Sequence, residues 1–344
     1  MSKFILNIFQ AFTGDSILIN YIGIDSKQYN ILIDGGMPNT FKQSIKKVVQ
    51  DIDYLDYIFL THIDRDHIGG VLKLIESSYQ NKIKNIFFNS GNIIKIQNTT
   101  LISENDGKVL IKYINESTSI KTNKEEITID SHFDFNGLKI DFFSPTYNAL
   151  EAFNKNYSIG RIKEEALISD TIQIKTTSSL KELSKIEFSE KNLNNDSANG
   201  VSLAMLLEYN DKKIFLLGDA KDSILIETLE SKGYKNTERL KVDYMKLSHH
   251  GSKFHTSNKF LSLIDCLNFI ISTNGSGKSR HPNIEVIARI LCHPNREIEQ
   301  KIYFYFNYPK EEYLKNNIRL LTLDEEKKYN CESIYDKTLF EMEV

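Results

Sequence analysis

The densest group of residues able to do chemistry is Thr61-His62-Ile63-Asp64-Arg65-Asp66-His67. Four potential metal ligands fall within six positions, and Gly69-Gly70 stands behind them. His62 and Asp64 are two apart, while Asp66 and His67 are adjacent. In a loop this spacing lets one pair face one ion and the other pair a second. Neutral imidazole and carboxylate together suit Zn, Mn or Fe(II). A second histidine group, Ser248-His249-His250-Gly251-Ser252 with His255 beyond it, follows an apolar run. A third segment, NGSGKSRHP at 274–282, places Lys278, Arg280 and His281 among glycines and serines. Cations beside backbone N–H groups suit an anion such as phosphate or a leaving group. Two carboxylates, in Asp34-Gly35-Gly36 and Gly218-Asp219, also close apolar runs. His132 and His293 lie away from these groups and read as surface or packing residues.

Elements that could position these groups are visible as pattern. Short apolar runs broken by Gly and Asp predict strands at 4–9, 16–22, 29–33, 54–60 and 83–89, with helices at 39–51 and over VLKLIESSY after the cluster. Leu138–Ser144, closed by Pro145, predicts another strand. Residues 146–195 are rich in Lys, Glu, Ser and Asn, and read as an elaboration with some helix near 178–188. Pattern returns with a strand pair at 201–208 and 213–217, a helix at 223–231, strands at 242–247 and 267–272, and a helix at 284–291. Strands with helices after some of them give an α/β or α+β class.

Composition narrows the function classes. Hydrophobic residues are 40% and charged residues 26%, a globular balance with no sign of disorder. The net charge of -3 argues against a broad nucleic-acid-binding surface, though not against a small local one. Cys266, Cys292 and Cys331 form no CxxC pair, which excludes a cysteine zinc site and a disulfide framework. That usage fits a reducing, cytoplasmic setting. No apolar window reaches 18 residues, so no membrane span is expected, and the opening MSKFILNIFQAF reads as a first strand in place of a cleaved leader.

The cluster THIDRDHIGG after Tyr57-Ile58-Phe59-Leu60 resembles the HxHxDH signature of the metallo-β-lactamase fold superfamily. QAFTGDSILI at 10–19, followed by ILIDGG at 31–36, resembles the opening of the metallo-hydrolase domain of the bacterial competence protein ComEC. NGVSLAMLLEY, KKIFLLGDA, VDYMKLSHHGSKFHTS and ISTNGSGKSRHP resemble further segments of that domain in the same order. The six motifs cover about 1–95 and 199–291, leaving 96–198 and 292–344 unmatched.

The resemblance implies a four-layer αββα sandwich, one domain over 1–344 with an insertion or elaboration at about 96–198, and a metal site at one edge between the sheets. It implies two divalent ions (Zn, Mn or Fe), with His62 and Asp64 on the first, Asp66 and His67 on the second, and Asp219 bridging. His249 is favoured as the remaining ligand of the second ion, leaving His250 to face the substrate. Asp34 matches a structural position. Asn199 and Ser202 stand where the usual third histidine of the first site is missing, and with Ser252, Lys278 and Arg280 they are the expected substrate contacts. Asp64 replaces the commoner histidine by a harder oxygen, which moves preference from zinc towards Mn(II), Fe(II) or Mg(II).

The implied reaction is hydrolysis by metal-activated water, with Asp66 orienting the nucleophile and His250 or His281 protonating the leaving oxygen. A phosphodiesterase or nuclease acting on nucleic acid or nucleotides is the expected activity. Hydrolysis of another ester, a thioester or an amide is the alternative, and a non-catalytic metal-binding scaffold is the third reading. A partner protein or a homodimer is compatible with each.

Overall fold

A computed structural model describes residues 3–89, 106–117, 119–158, 178–188, 198–277 and 279–343. The first sheet opens with β1 (Lys3–Ile8), β2 (Ile17–Ile22) and β3 (Gln28–Ile33), an antiparallel meander. It continues in parallel through β4 (Tyr57–Phe59), β5 (Asn85–Phe87) and β6 (Lys121–Thr122). The second sheet repeats this plan. β7 (His132–Phe135), β8 (Leu138–Ser144), β9 (Ala204–Tyr209) and β10 (Lys212–Leu216) are antiparallel. Two short strands, β11 (Leu240–Lys241) and β13 (Ile264–Asp265), pair separately. β12 (Tyr244–Lys246), β14 (Asn268–Ile271), β15 (Ile302–Phe306) and β16 (Cys331–Ile334) extend the second sheet in parallel. β17 (Leu339–Glu343) returns to the first sheet beside β1.

Side-chain alternation along the strands decides the layering. Ile17, Ile19, Ile31, Ile33 and Phe59 face the other sheet and pack with Ile140, Phe142, Met205, Leu207, Ile214 and Leu216. Their neighbours Leu18, Leu32 and Ile58 point the other way, onto Ile45, Val49, Ile68, Val71 and Leu72 of the helices at 38–51 and 65–75. On the second sheet Phe215, Met245, Phe269 and Ile271 meet Leu225, Leu229, Val286 and Ile287 of helices Asp222–Ser231 and Ile284–Cys292. The result is a four-layer αββα sandwich.

Part of the 96–198 range belongs to the sheets themselves, because β6 sits on the first sheet while β7 and β8 sit on the second. The expected helix near 178–188 is a single turn, Leu180–Leu183, closed by a Ser179–Glu182 capping box. Residues 292–344, unmatched by any motif, complete both sheets through β15, β16 and β17. No helix among the described residues is long and apolar enough to cross a membrane.

Candidate metal centre

The chemistry-bearing residues collect where the parallel strands β4, β10, β12 and β14 end, the edge at which open α/β sheets present ligand loops. β4 runs into Thr61-His62, and Asp64 caps the helix Arg65–Ile75 in extended geometry. Asp66 and His67 therefore stand in the first helical turn, where the sequence placed a loop. The helix lies close on the end of β3: a Cβ on Gly70 would come within 2.0 Å of the Gly35 carbonyl oxygen. Only glycine permits that approach.

Asp34 ties this side together. It follows β3 with a left-handed φ of 57° and is fully buried. Its carboxylate accepts from Thr61 N–H at 2.8 Å and Thr61 Oγ1–H at 2.7 Å. It also accepts from His67 Nδ1–H at 2.7 Å. That bond turns the other ring nitrogen of His67 outward, 3.3 Å from Asp219 Oδ2. His62, whose Nδ1 lies 3.0 Å from Thr61 Oγ1, presents Nε2 to Asp64 Oδ2 at 3.4 Å.

The second side is built by a strained turn. His249 and His250 have φ of 45° and 56°, and Gly251 follows at 86°. Two successive left-handed non-glycine residues cost about 1–3 kcal/mol each. Surrounding hydrogen bonds hold them: His249 N–H to the Gly218 carbonyl at 3.0 Å, Ser252 N–H to the His249 carbonyl at 2.9 Å, and Asn283 N–H to the Gly251 carbonyl at 3.0 Å. His250 Nδ1–H donates to the Ser272 carbonyl at 2.8 Å, so Nε2 faces Asp219 Oδ2 at 3.6 Å and Asp66 Oδ2 at 3.9 Å.

Nε2 of His62, His67 and His250 are all buried and make no hydrogen bond. Buried ring nitrogens left open beside one carboxylate are what a divalent ion would satisfy, so the residues fit a metal centre. Ligand atoms of Asp15, His67, Asp219 and His250 lie within 4.8 Å of one another. Burial pushes the Asp219 carboxyl up, but His67, His250 and His249 outweigh it and hold it well below the usual range. Burial pushes His67 down, and Asp219 and Asp34 more than reverse this, raising it well above an ordinary histidine. His62 and His250 are raised as well: burial lowers both, and His67 also lowers His62, while Asp64 lifts His62 and Asp219 with Asp15 lifts His250.

Both adjacent histidines reach Asp219, and they differ in burial: His250 Nε2 is buried without a hydrogen bond. His249 is part-exposed and stands in a second polar group, with Nδ1 3.3 Å from Asn199 Nδ2 and 3.3 Å from His255 Nε2. Its Nε2 lies 3.8 Å from Asp219 Oδ2. The His281 ring is 5.1 Å from that of His249. Burial first, then His249, push His255 and His281 well below the ordinary histidine value.

The expected substrate contacts also separate. Asn199 and Ser202 are fully buried, and Ser202 Oγ is committed to accepting from Asp219 N–H at 3.0 Å. Ser202 thus braces Asp219, and Asn199 Nδ2 stands against His249. Ser252 is buried in the turn after the histidines. Arg280 is exposed, and Lys278 lies outside the described residues. Asp15 and Lys246 were given no role from sequence, although Gly14-Asp15-Ser16 was visible as a motif; their position in the site arises only when the two sheets close.

A family model described as the metallo-beta-lactamase superfamily matches residues 12–85, the stretch holding Asp15, Asp34 and the 62–67 cluster. A comparison with curated proteins gave no match. Among solved structures, the chain is similar to the metallo-beta-lactamase fold protein YhfI from Bacillus subtilis, at 11% identity over 99% of this chain and 100% of that one, TM-score 0.43. It is similar to a diphosphatase from the PhnP family at 11% identity over 99% and 98%, TM-score 0.43. A long form RNase Z from yeast aligns at 11% identity over 100% of this chain and 47% of that one, TM-score 0.43. The αββα layering agrees with the family-model match, which covers residues 12–85 and so the segment that carries the histidine cluster.

Proposed function

We propose that this protein is a metal-dependent hydrolase that cleaves phosphodiesters in nucleic acid or nucleotides. The observation that carries the reading is the set of buried, unbonded Nε2 atoms of His62, His67 and His250 around Asp219 and beside Asp64 and Asp66. His67, Asp66, Asp219 and His250 would hold one divalent ion, and His62, Asp64 and Asp219 a second. Bound there, the ions would supply Lewis acidity and a water acidified towards neutral pH. Three carboxylates in the donor set favour Mn(II) or Fe(II) over a softer site's zinc.

The chain's own residues do the rest. Asp34 and the Ser272 carbonyl fix the tautomers of His67 and His250, so both keep Nε2 open. This leaves His249 for the substrate side, exchanging the roles first given to the pair. Held by Asn199 and His255, His249 would pass a proton to the leaving oxygen. His281, kept neutral by burial and its neighbours, would donate a hydrogen bond and not a proton. Arg280, exposed in the same loop, offers a positive charge to the phosphate.

The test is elemental analysis paired with turnover of bis-p-nitrophenyl phosphate after addition of Mn(II), Zn(II) or Mg(II), with Asp66→Ala/His67→Ala as control. Metal-dependent turnover that the control lacks supports the proposal. Bound metal with turnover of acyl substrates alone would replace the phosphodiester by an ester, thioester or amide. Bound metal with no turnover of any substrate would favour the scaffold.

A further inference from the structure

Asp15 and Lys246 come from opposite sheets and meet beside the metal centre. Asp15 sits in the loop between β1 and β2, Lys246 at the end of β12, and both are buried, at 2% and 0% exposure. Lys246 Nζ donates to Asp15 Oδ2 and to the Gly218 carbonyl at 3.1 Å, and lies 3.9 Å from Asp219 Oδ1. Asp15 Oδ1 lies 3.5 Å from His250 Nδ1, the nitrogen turned away from Asp219. One oxygen of Asp15 therefore faces the ammonium, and the other faces the back of the His250 ring.

The loop is shaped to put Asp15 there. A Cβ on Gly14 would come within 1.7 Å of the Asp66 carbonyl oxygen, so the loop touches the first turn of the motif helix. Asn274 N–H donates to the Phe12 carbonyl at 2.8 Å, binding the same loop to the segment after β14.

We propose that Asp15 and Lys246 are positioning residues of the metal centre: Asp15, although within the 4.8 Å donor group, gives Oδ2 to Lys246 and not to metal, and the buried pair sets Asp219 from behind and backs His250. This rests on the metal-centre reading above. Lys246 reaches Asp219 through the carbonyl of the residue before it and through Oδ1. Asp15 Oδ1 makes no hydrogen bond and stands 3.5 Å behind the His250 ring, whose Nδ1–H is taken by the Ser272 carbonyl, so Asp15 adds a fixed negative charge there and not a tautomer lock. Burying an ammonium at a cation site works only because Asp15 neutralises it, so the pair acts as a unit.

Single substitutions confound position with charge. Asp15→Asn removes a negative charge and leaves a buried ammonium, while Lys246→Met removes a repulsion on the incoming ion. The double variant Asp15→Asn/Lys246→Met keeps the net charge and approximates the side-chain volumes. The experiment is calorimetric titration of Mn(II) and Zn(II) into metal-free full-length protein, wild type and double variant, with thermal melts of both. The expected result is a cooperatively melting double variant whose metal dissociation constant is raised by about 10–100-fold, the range for partners that orient ligands. A folded double variant with wild-type affinity would overturn the positioning role and leave the metal centre standing. Wild type that binds neither metal would overturn both. If the double variant does not fold, Lys246→Arg, which keeps the charge but not the geometry, replaces it, with the same raised constant expected and wild-type affinity again counting against the role.

Discussion

The two sides of the site are built by different means. Around His67 the parts are local: Asp34, Thr61 and His67 lie on two neighbouring strands of the first sheet and the helix that follows, and three short hydrogen bonds to one carboxylate lock them. Around His250 they are assembled from distant segments: Ser272 after β14, Asp15 from the other sheet, and Lys246 beneath. The first side can be ordered by one sheet and its helix. The second exists only when both sheets have closed on their shared core. Damage to the first should act through ligand orientation, and damage to the second through how the sheets meet.

Asp219 joins the two sides, so its loss should be the largest effect. Asp219→Ala should lower metal-dependent turnover by on the order of 10³-fold, about 4 kcal/mol of transition-state stabilisation, while removing bound metal. Turnover within tenfold of wild type, measured with matched metal loading, would break the idea of a shared carboxylate.

The paired histidines sharpen the contrast next. His250→Ala should strip metal from the protein by elemental analysis. His249→Ala should keep the metal and lower kcat by about 10²–10⁴-fold, the usual contribution of a proton-transferring group. The reverse pattern, metal lost with His249→Ala and kept with His250→Ala, would restore the assignment first read from sequence. Asp34→Asn should act more gently, weakening metal affinity or activity by about 10–100-fold through misorientation of His67. Unchanged affinity in Asp34→Asn would mean that Thr61 and the helix suffice to hold His67.

What sequence made legible follows the same division. Strands β1 to β3, the 62–67 cluster and Asp219 were readable because apolar runs ended in residues of unmistakable chemistry. β8 was readable to the residue. β15 to β17 were not tied to the fold, because no motif marks 292–344 and only pairing across the sheets gives those strands a place. His249 and His250 could not be separated, since neighbours in sequence diverge in space only through the left-handed turn they share. Ser202 is read from sequence as a substrate contact because it stands where the resemblance lacks its third histidine; its buried hydroxyl accepting from Asp219 N–H is a bond that sequence does not announce.

The smallest effect is a pH dependence of the metal-free protein, and its sign distinguishes the histidines from the carboxylates. Asp219 and Asp15 are held below the ordinary carboxyl range: burial raises both, but the histidines outweigh it at Asp219, and Lys246 and His250 at Asp15. Their contribution to stability is present above about pH 4 and fades as pH falls through the lowered folded values. His67 is raised well above an ordinary histidine and His250 is raised too, with Asp219 the main favourable partner of both, against burial. Their contribution is complete below about pH 6.5 and is lost as pH climbs through the raised folded values. The melting temperature without metal should therefore peak between about pH 4 and 6.5 and decline on the alkaline side. Metal binding needs the neutral imidazoles, so added Mn(II) should stabilise more as pH rises, and the two melting curves should part above neutrality. Asp34→Asn, by removing one of the two carboxylates that lift His67, should start the metal-free decline at lower pH. A metal-free melting temperature that rises steadily from pH 6 to pH 9 would mean that the imidazoles around Asp219 do not carry the protons that this geometry gives them.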